Sequence, residues 1–390
     1  MQSTPRARLM QFAHFLQNTL FGAVEVETGV LSEKARLLLS VLALVPLSRY
    51  VPPMRGWPGR PAEHRQALAT AFLAKAVYGL QTTRQLIDQL RRERQLRCLC
   101  GWSHAEQIPH ESTFSRAFEE FARTELPQQL HEAVIRSTQQ GRIIGHIARD
   151  STAIEARERY PDDPQPSPKK KRYKKAPKAK RHTPRSPRNH IEEQRLMKVQ
   201  ELLAELPRDC SLGVKKSSKG HLSYWRGYKL HLDVADGDIP VTALLTGAKL
   251  HDSQAAVALM NLTSGRVTYL YDLMDAAYDA HAIREHSIWL GHKPIIDPVQ
   301  RYRKLRSKVP VSKNSRAVKT VITSEPVHRE LTAAEAIRFR QRTSVERVNA
   351  RLKDEFGARH IRYRGAAKIM AHLMFGVLAL TVDQWLKLSG

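Results

Sequence analysis

The apolar residues of this chain change period near Gly220, from helical spacing before it to alternation after it. That change restricts the chain to a mixed α/β class. Tyr228, Leu230, Leu232 and Val234 alternate with Lys229, His231 and Asp233, the pattern of a strand with one buried face. Asp236-Gly237-Asp238 supplies a turn, and Pro240 to Leu245 returns as a second strand. Asp252 or Ser253 caps a helix through Leu262, and Arg266 to Leu273 reads as another strand. With the apolar run Arg142 to Asp150 as the first strand, three antiparallel strands precede helix-linked parallel ones.

Upstream, helical spacing runs from about Ser32 to Gln140, and residues 1–140 read as an all-α N-terminal domain. Pro61 opens a helix with the stripe Ala67, Ala71, Ala74 and Val77, and Gly79 lies near its end. Thr82 to Arg97 follows as a basic helix, and Ser112 reads as the N-cap of Thr113 to Arg123. A helix-turn-helix DNA reader and a plain helical bundle share this pattern. The apolar runs Leu37 to Leu47 and Ile369 to Leu380 are shorter than the roughly 20 residues of a spanning helix, so both are expected as buried helices, with no membrane.

Lys and Arg number 64 against 38 acids, a formal charge of +26. Such an excess calls for a polyanionic partner, nucleic acid ahead of a membrane surface. It is densest in a basic insertion at about 160–220, expected to be disordered. From Pro164 to His190 there is no acid, and eleven Lys or Arg accompany six Pro, with Lys169, Lys170, Lys171 and Arg172 consecutive. A solvated linker has this composition, but a flexible arm lying along DNA fits the density of charge better.

Cys98, Cys100 and Cys210 are too few for a disulfide framework, and Cys98 and Cys100 beside His104 and His110 are too tightly spaced for zinc. No signal peptide is legible at the N-terminus, so the expected location is the cytoplasm, with the nucleoid.

Acids at strand ends require explanation in so basic a chain. The run Ile143 to Arg149 leads into Asp150, and the strand ending at Leu273 delivers Asp275 just past its C-terminal end, where open α/β sheets place their sites. Thr332 and Glu335 form a capping box for a helix expected to reach Phe356, with Val345, Val348 and Leu352 as its core stripe. Arg342, Glu346, Asn349 and Lys353 share the face beside that stripe. A surface salt-bridge ladder has the same spacing. Packed against the sheet, however, Glu346 would join Asp150 and Asp275, and three carboxylates suit a site for two Mg²⁺ ions about 4 Å apart.

These motifs resemble the DDE transposases of bacterial insertion sequences, in the group whose third acid lies in a Tyr, Arg, Glu, Lys signature. Arg342, Glu346 and Lys353 match its spacing, and Phe339 stands at the Tyr position. Arg149-Asp150-Ser151-Thr152-Ala153-Ile154-Glu155 resembles the family's first-Asp segment, as do Gly227 to His231 and Leu250 to Ser253 its later segments. Alignment on Tyr278-Asp279 selects Asp275 as the second acid, with Asp272 as runner-up. Trp57 to Pro61 and Pro109 to Arg116 resemble the attached helical domain.

The resemblance implies an RNase H-like catalytic domain over 141–390, a mixed five-stranded sheet with helices. It further implies catalytic and metal-binding roles for Asp150, Asp275 and Glu346, with Mg²⁺ (or Mn²⁺) as cofactor. Double-stranded DNA, both element ends and target, is the implied partner, held by Arg342, Asn349, Lys353 and the Lys169–Arg172 cluster, and a homodimer on DNA is implied. The implied activity is cleavage at element ends and strand transfer. A nuclease that does not join, or a DNA-binding descendant without catalysis, would share much of this pattern. His251 and Trp225 are candidates for lesser contacts, and Glu155, Glu158, Asp252 and Asp279 are read as supporting or surface acids.

Overall fold

The computed structural model describes residues 4–51, 64–158, 187–216, 221–298, 301–310, 318–327 and 330–389. Its N-terminal part is helical: α1 (Pro5–Phe15), α2 (Phe21–Thr28), α3 (Glu33–Leu44), α4 (Leu47–Tyr50), α5 (Arg65–Val77), α6 (Thr83–Arg92), α7 (Arg94–Leu99), α8 (Glu111–Arg123) and α9 (Leu126–Gln139). The helix expected over Thr82 to Arg97 is two helices, because Glu93 takes an extended conformation (φ −96°, ψ 105°) between them. His110, not Ser112, is the N-cap of α8, its ring accepting from the Ser112 N–H. Trp57 to Pro61 lie outside the described residues.

The sheet contains β1 (Ile143–Glu155), β2 (Ser211–Lys216), β3 (Leu222–Ala235), β4 (Ile239–Gly247), β5 (Thr268–Met274) and β6 (Lys293–Ile296). β1 is central, antiparallel to β3 and parallel to β5, which is parallel to β6. β2 and β4 share the far side of β3, β2 along Leu222–Gly227 and β4 along Tyr228–Ala235. The order β4-β3-β1-β5-β6 is RNase H-like. The sheet has six described strands rather than the expected five, because β2 pairs with the long first half of β3. Gly227 marks the exchange of partners. Its φ of +151° favours glycine, and a Cβ there would meet the Ile154 carbonyl oxygen at 2.1 Å.

The expectation of disorder across the basic insertion fails over Pro187–Glu205 and Ser211–Lys216. α10 (Pro187–Gln194), α11 (Val199–Glu205) and β2 fall inside it, anchored by Ile191 and Leu202 against α12 (Ser253–Ser264). Acids reappear after His190, and the apolar residues of this segment reach the core. Lys169, Lys170, Lys171 and Arg172 lie outside the described residues.

α13 (His281–Trp289) follows β5, and a separate antiparallel pair, β7 (Arg301–Pro310) and β8 (Val318–Val327), follows β6. The helix expected from Thr332 is interrupted. α14 (Ala333–Phe339), with the expected Thr332–Glu335 capping box, gives way to a 3₁₀ turn at Arg340–Arg342 and then to α15 (Thr343–Asp354).

α16 (Ala366–Lys387) is long and apolar enough to cross a membrane by length and composition, yet most of it is buried inside the protein. Being apolar on nearly every side, it packs against α3, α5, α8, α9 and β4 at once. One core therefore runs from Leu68, Phe72 and Phe114 through Phe375 and Leu378 to Val348, Leu230 and Leu232. The opposite sheet face is covered by α12 and α13.

Candidate active site

Strand parity decides which acids meet. β1 and β5 are in register at Arg149 and Met274, so Asp150 and Asp275 occupy the next step of the two parallel neighbours and point to the same face. β1 does not end at Asp150, as its apolar run suggested. It continues to Glu155 along β3, and Asp150 stands where β1 leaves its parallel partner. Asp272 pairs with Ile147, two residues before Arg149, and so faces the other way, on the side of Arg149.

There Asp272 is fully buried. Arg149 donates from Nη1 to Asp272 Oδ1 at 3.2 Å and grips Asp233 with two bonds of 2.7 and 2.6 Å. Ser287 and Tyr269 also donate to Asp272, and Thr263 donates to Asp233. This buried triad ties β1 to both neighbours directly behind the two site acids. Sequence reading misses it, although Arg149, Asp233 and Asp272 all fall on the same side of the strand alternation.

Burial pushes the Asp150 carboxyl up to about 6, reinforced by the nearby charges of Asp275 and Asp252 and opposed by the Ser151 N–H and Arg342. The Asp275 carboxyl is raised for the same first reason, with Asp252 adding to the effect. It also caps the turn that follows, Oδ1 accepting from the Ala277 N–H at 3.0 Å. Two buried acids that resist ionising on one face will gain from a cation placed at that face.

α15 lies over this face. Val345, Val348 and Leu352 are buried in the core. Lys353 Nζ donates to Thr152 Oγ1 at 2.6 Å, and Arg347 grips Asp238 in the β3–β4 turn with bonds of 2.8 and 2.7 Å. Thr152 is two residues beyond Asp150 and shares its side of the strand. Burial lowers the Lys353 ammonium, Arg359 and Lys215 lower it further, and Glu155 and Asp354 oppose the shift.

Arg342 closes the 3₁₀ turn, which packs against both β1 and β5. Its guanidinium donates to Glu346 Oε1 at 2.7 Å and acts electrostatically on Asp150 and Asp275. One arginine thus serves all three acids. Among the described residues, no three His, Cys, Asp or Glu side chains already converge closely enough to hold a metal ion, and Glu346 is half exposed on Arg342. The salt-bridge pattern is realised for Arg342–Glu346 but not for Lys353. The donor chemistry nevertheless suits Mg²⁺: Asp150, Asp275 and Glu346 offer hard oxygens, and the buried Oδ1 of Asn349, on the Glu346 face, has no partner among the described residues.

Lesser candidates resolve into structure. His251 Nδ1 bonds Ser253 Oγ at 2.8 Å at the start of α12, and Trp225 packs over Gly213 while donating to the Tyr228 carbonyl. Glu158 accepts from the Tyr228 hydroxyl, and Arg284 donates to Asp279. Phe339 lies 5.8 Å from the Arg342 guanidinium, as a platform for it. Asp252 accepts from Lys229 Nζ at 2.9 Å, and its charge adds to the raised carboxyls of Asp150 and Asp275.

The family model described as the Transposase DDE domain matches residues 143–382. That is more than half of the chain, and the protein belongs to the DDE transposase family. A second model, Transposase domain (DUF772), matches residues 31–120, within the N-terminal helices. No curated protein matches the chain.

Proposed function

We propose that this transposase cuts the ends of its own insertion sequence and joins the freed 3′-hydroxyls to target DNA. The observation that carries this reading is the β1–β5 register, with Asp150 and Asp275 on one face beneath the helix bearing Glu346. Asp150, Asp275 and Glu346 would bind the metal. A pair of Mg²⁺ ions, or Mn²⁺, supplies Lewis acidity for attack first by water and then by the 3′-hydroxyl.

The chain's own residues do the rest. Arg342 releases Glu346 toward the aspartates and takes a DNA phosphate, since a guanidinium pairs with phosphate as readily as with carboxylate. Lys353, tied to Thr152, holds a second phosphate beside Asp150, with Asn349 between them on the helix. Spacing at Arg342, Glu346 and Lys353, with Phe339 as the ring, supports assignment to the Tyr-Arg-Glu-Lys group. The Lys169–Arg172 cluster extends along the duplex backbone, the N-terminal helices read the element's end, and two copies bridge two ends in the cytoplasm at the nucleoid.

The test uses duplex DNA from the borders of the gene, with Mg²⁺ and a labelled target. Joined products support the reading. Cleavage without joining makes the protein a nuclease, and binding without cleavage makes it a DNA-binding descendant.

A further inference from the structure

The segment between α15 and α16 is anchored along the far end of β1. Lys353, near the end of α15, is tied to Thr152, two residues beyond Asp150. Just before α16, the Gly365 N–H donates to Glu158 Oε1 at 2.7 Å, and Glu158 also accepts from the Tyr228 hydroxyl. From Phe356 to Val382 the chain carries no Asp or Glu. Within that acid-free run, Ile361 is buried in the core and Tyr363 stacks on Phe118 of α8, their ring centroids 4.2 Å apart. Arg362 and Arg364 alternate with these two and are exposed. Their cationic neighbours are already matched, Arg359 by Asp354 and Lys368 by Glu119 at 3.0 Å. Arg362 and Arg364 have no acidic partner among the described residues.

We propose that Arg362 and Arg364 form a second phosphate-binding site, which grips the DNA backbone away from the scissile bond. The inference deepens the reading of the protein as a transposase and rests on DNA being its partner. Guanidinium groups pair with phosphate oxygens through two parallel hydrogen bonds, and two cations with no acid between them gain from a polyanion. Ile361, Tyr363 and Gly365 pin the backbone on either side of each arginine, so a bound phosphate has little left to order but the two side chains. The anchor points at Thr152 and Glu158 are at most about 20 Å apart along the chain. That is roughly six steps of a duplex, which separates this site from the phosphate assigned to Lys353. Contacts of this kind set the register and orientation of the duplex without reading its sequence.

The experiment measures binding of the full chain to duplex DNA from the borders of the gene over a series of salt concentrations, with melting curves recorded alongside. Arg362→Ala and Arg364→Ala combined should make the slope of log K against log salt shallower by about 1.8, from two phosphates at about 0.9 each, and should melt like the parent. Arg362→Lys and Arg364→Lys combined keep both charges and should restore the slope. A parental slope in the double alanine variant, or a double lysine variant as shallow as alanine, would overturn the proposal. If the double alanine variant does not fold, Arg362→Gln and Arg364→Gln decide singly, each by a change of about 0.9. Failure of the parent itself to bind duplex DNA would instead remove the DNA-acting reading, and this inference with it.

Discussion

Lys353 and Thr152 share a 2.6 Å hydrogen bond that ties the helix carrying Glu346 to the strand carrying Asp150. As a phosphate clamp, Lys353 should matter more to catalysis than to folding. Lys353→Ala is expected to lower strand transfer by about 10²-fold or more while costing roughly 1 kcal/mol of stability. Thr152→Val removes the tether and keeps the cation, so it should cost less, about tenfold. Normal joining by Lys353→Ala would reduce the residue to a packing role.

Asp272 and Asp275 should separate cleanly. Asp272→Asn weakens a fully buried pair with Arg149, and removing one partner of such a pair typically costs about 3–5 kcal/mol. Asp275→Asn should melt close to the parent and lose metal-dependent cleavage. Thermal melts and cleavage on the two variants give this contrast, and a stable Asp272→Asn protein without cleavage would reverse the assignment.

Much of this architecture is legible in the amino-acid sequence. The change of period at Gly220 and the order of strands point to the fold, and the spacing from Arg342 to Lys353 marks the catalytic helix face. Parity is legible too: Asp272 and Asp275 lie an odd number of positions apart, so the two must face opposite sides if the strand is regular. What the sequence hides depends on partners distant in the chain. Arg149 meets Asp233 and Asp272 only because β1 lies between β3 and β5, and β2 cannot be told from a basic linker. The break at Arg340–Arg342 is hidden as well, since capping box and apolar stripe both read as continuous helix.

Asp150 gives a pH dependence of definite sign. Its carboxyl stands near 6 in the folded protein against an ordinary value of 3.8. Between those values the folded chain holds a proton that the unfolded chain has released. Its stabilising contribution is therefore complete below about 3.8 and lost as pH rises through about 6. In metal-free protein, the urea midpoint should fall over that window more steeply in the parent than in Asp150→Asn. Parallel curves for the two would contradict the shift.

Deleting residues 164–186 removes ten of the eleven cations of the acid-free run but leaves α10 intact. If those cations touch phosphates, the slope of log K against log salt should become shallower by about 0.9 for each phosphate no longer neutralised, with melting unchanged. A slope equal to the parent's would make the segment a linker.

The most direct measurement is Mg²⁺-dependent cleavage of the element's own end by Asp150→Asn, Asp275→Asn and Glu346→Gln, with binding to the same DNA followed in parallel. Each variant loses negative charge facing DNA, so binding should hold or tighten while cleavage falls to background. Cleavage at the parental rate by Glu346→Gln, with its Arg342 pair weakened, would show that the three acids do not form one site.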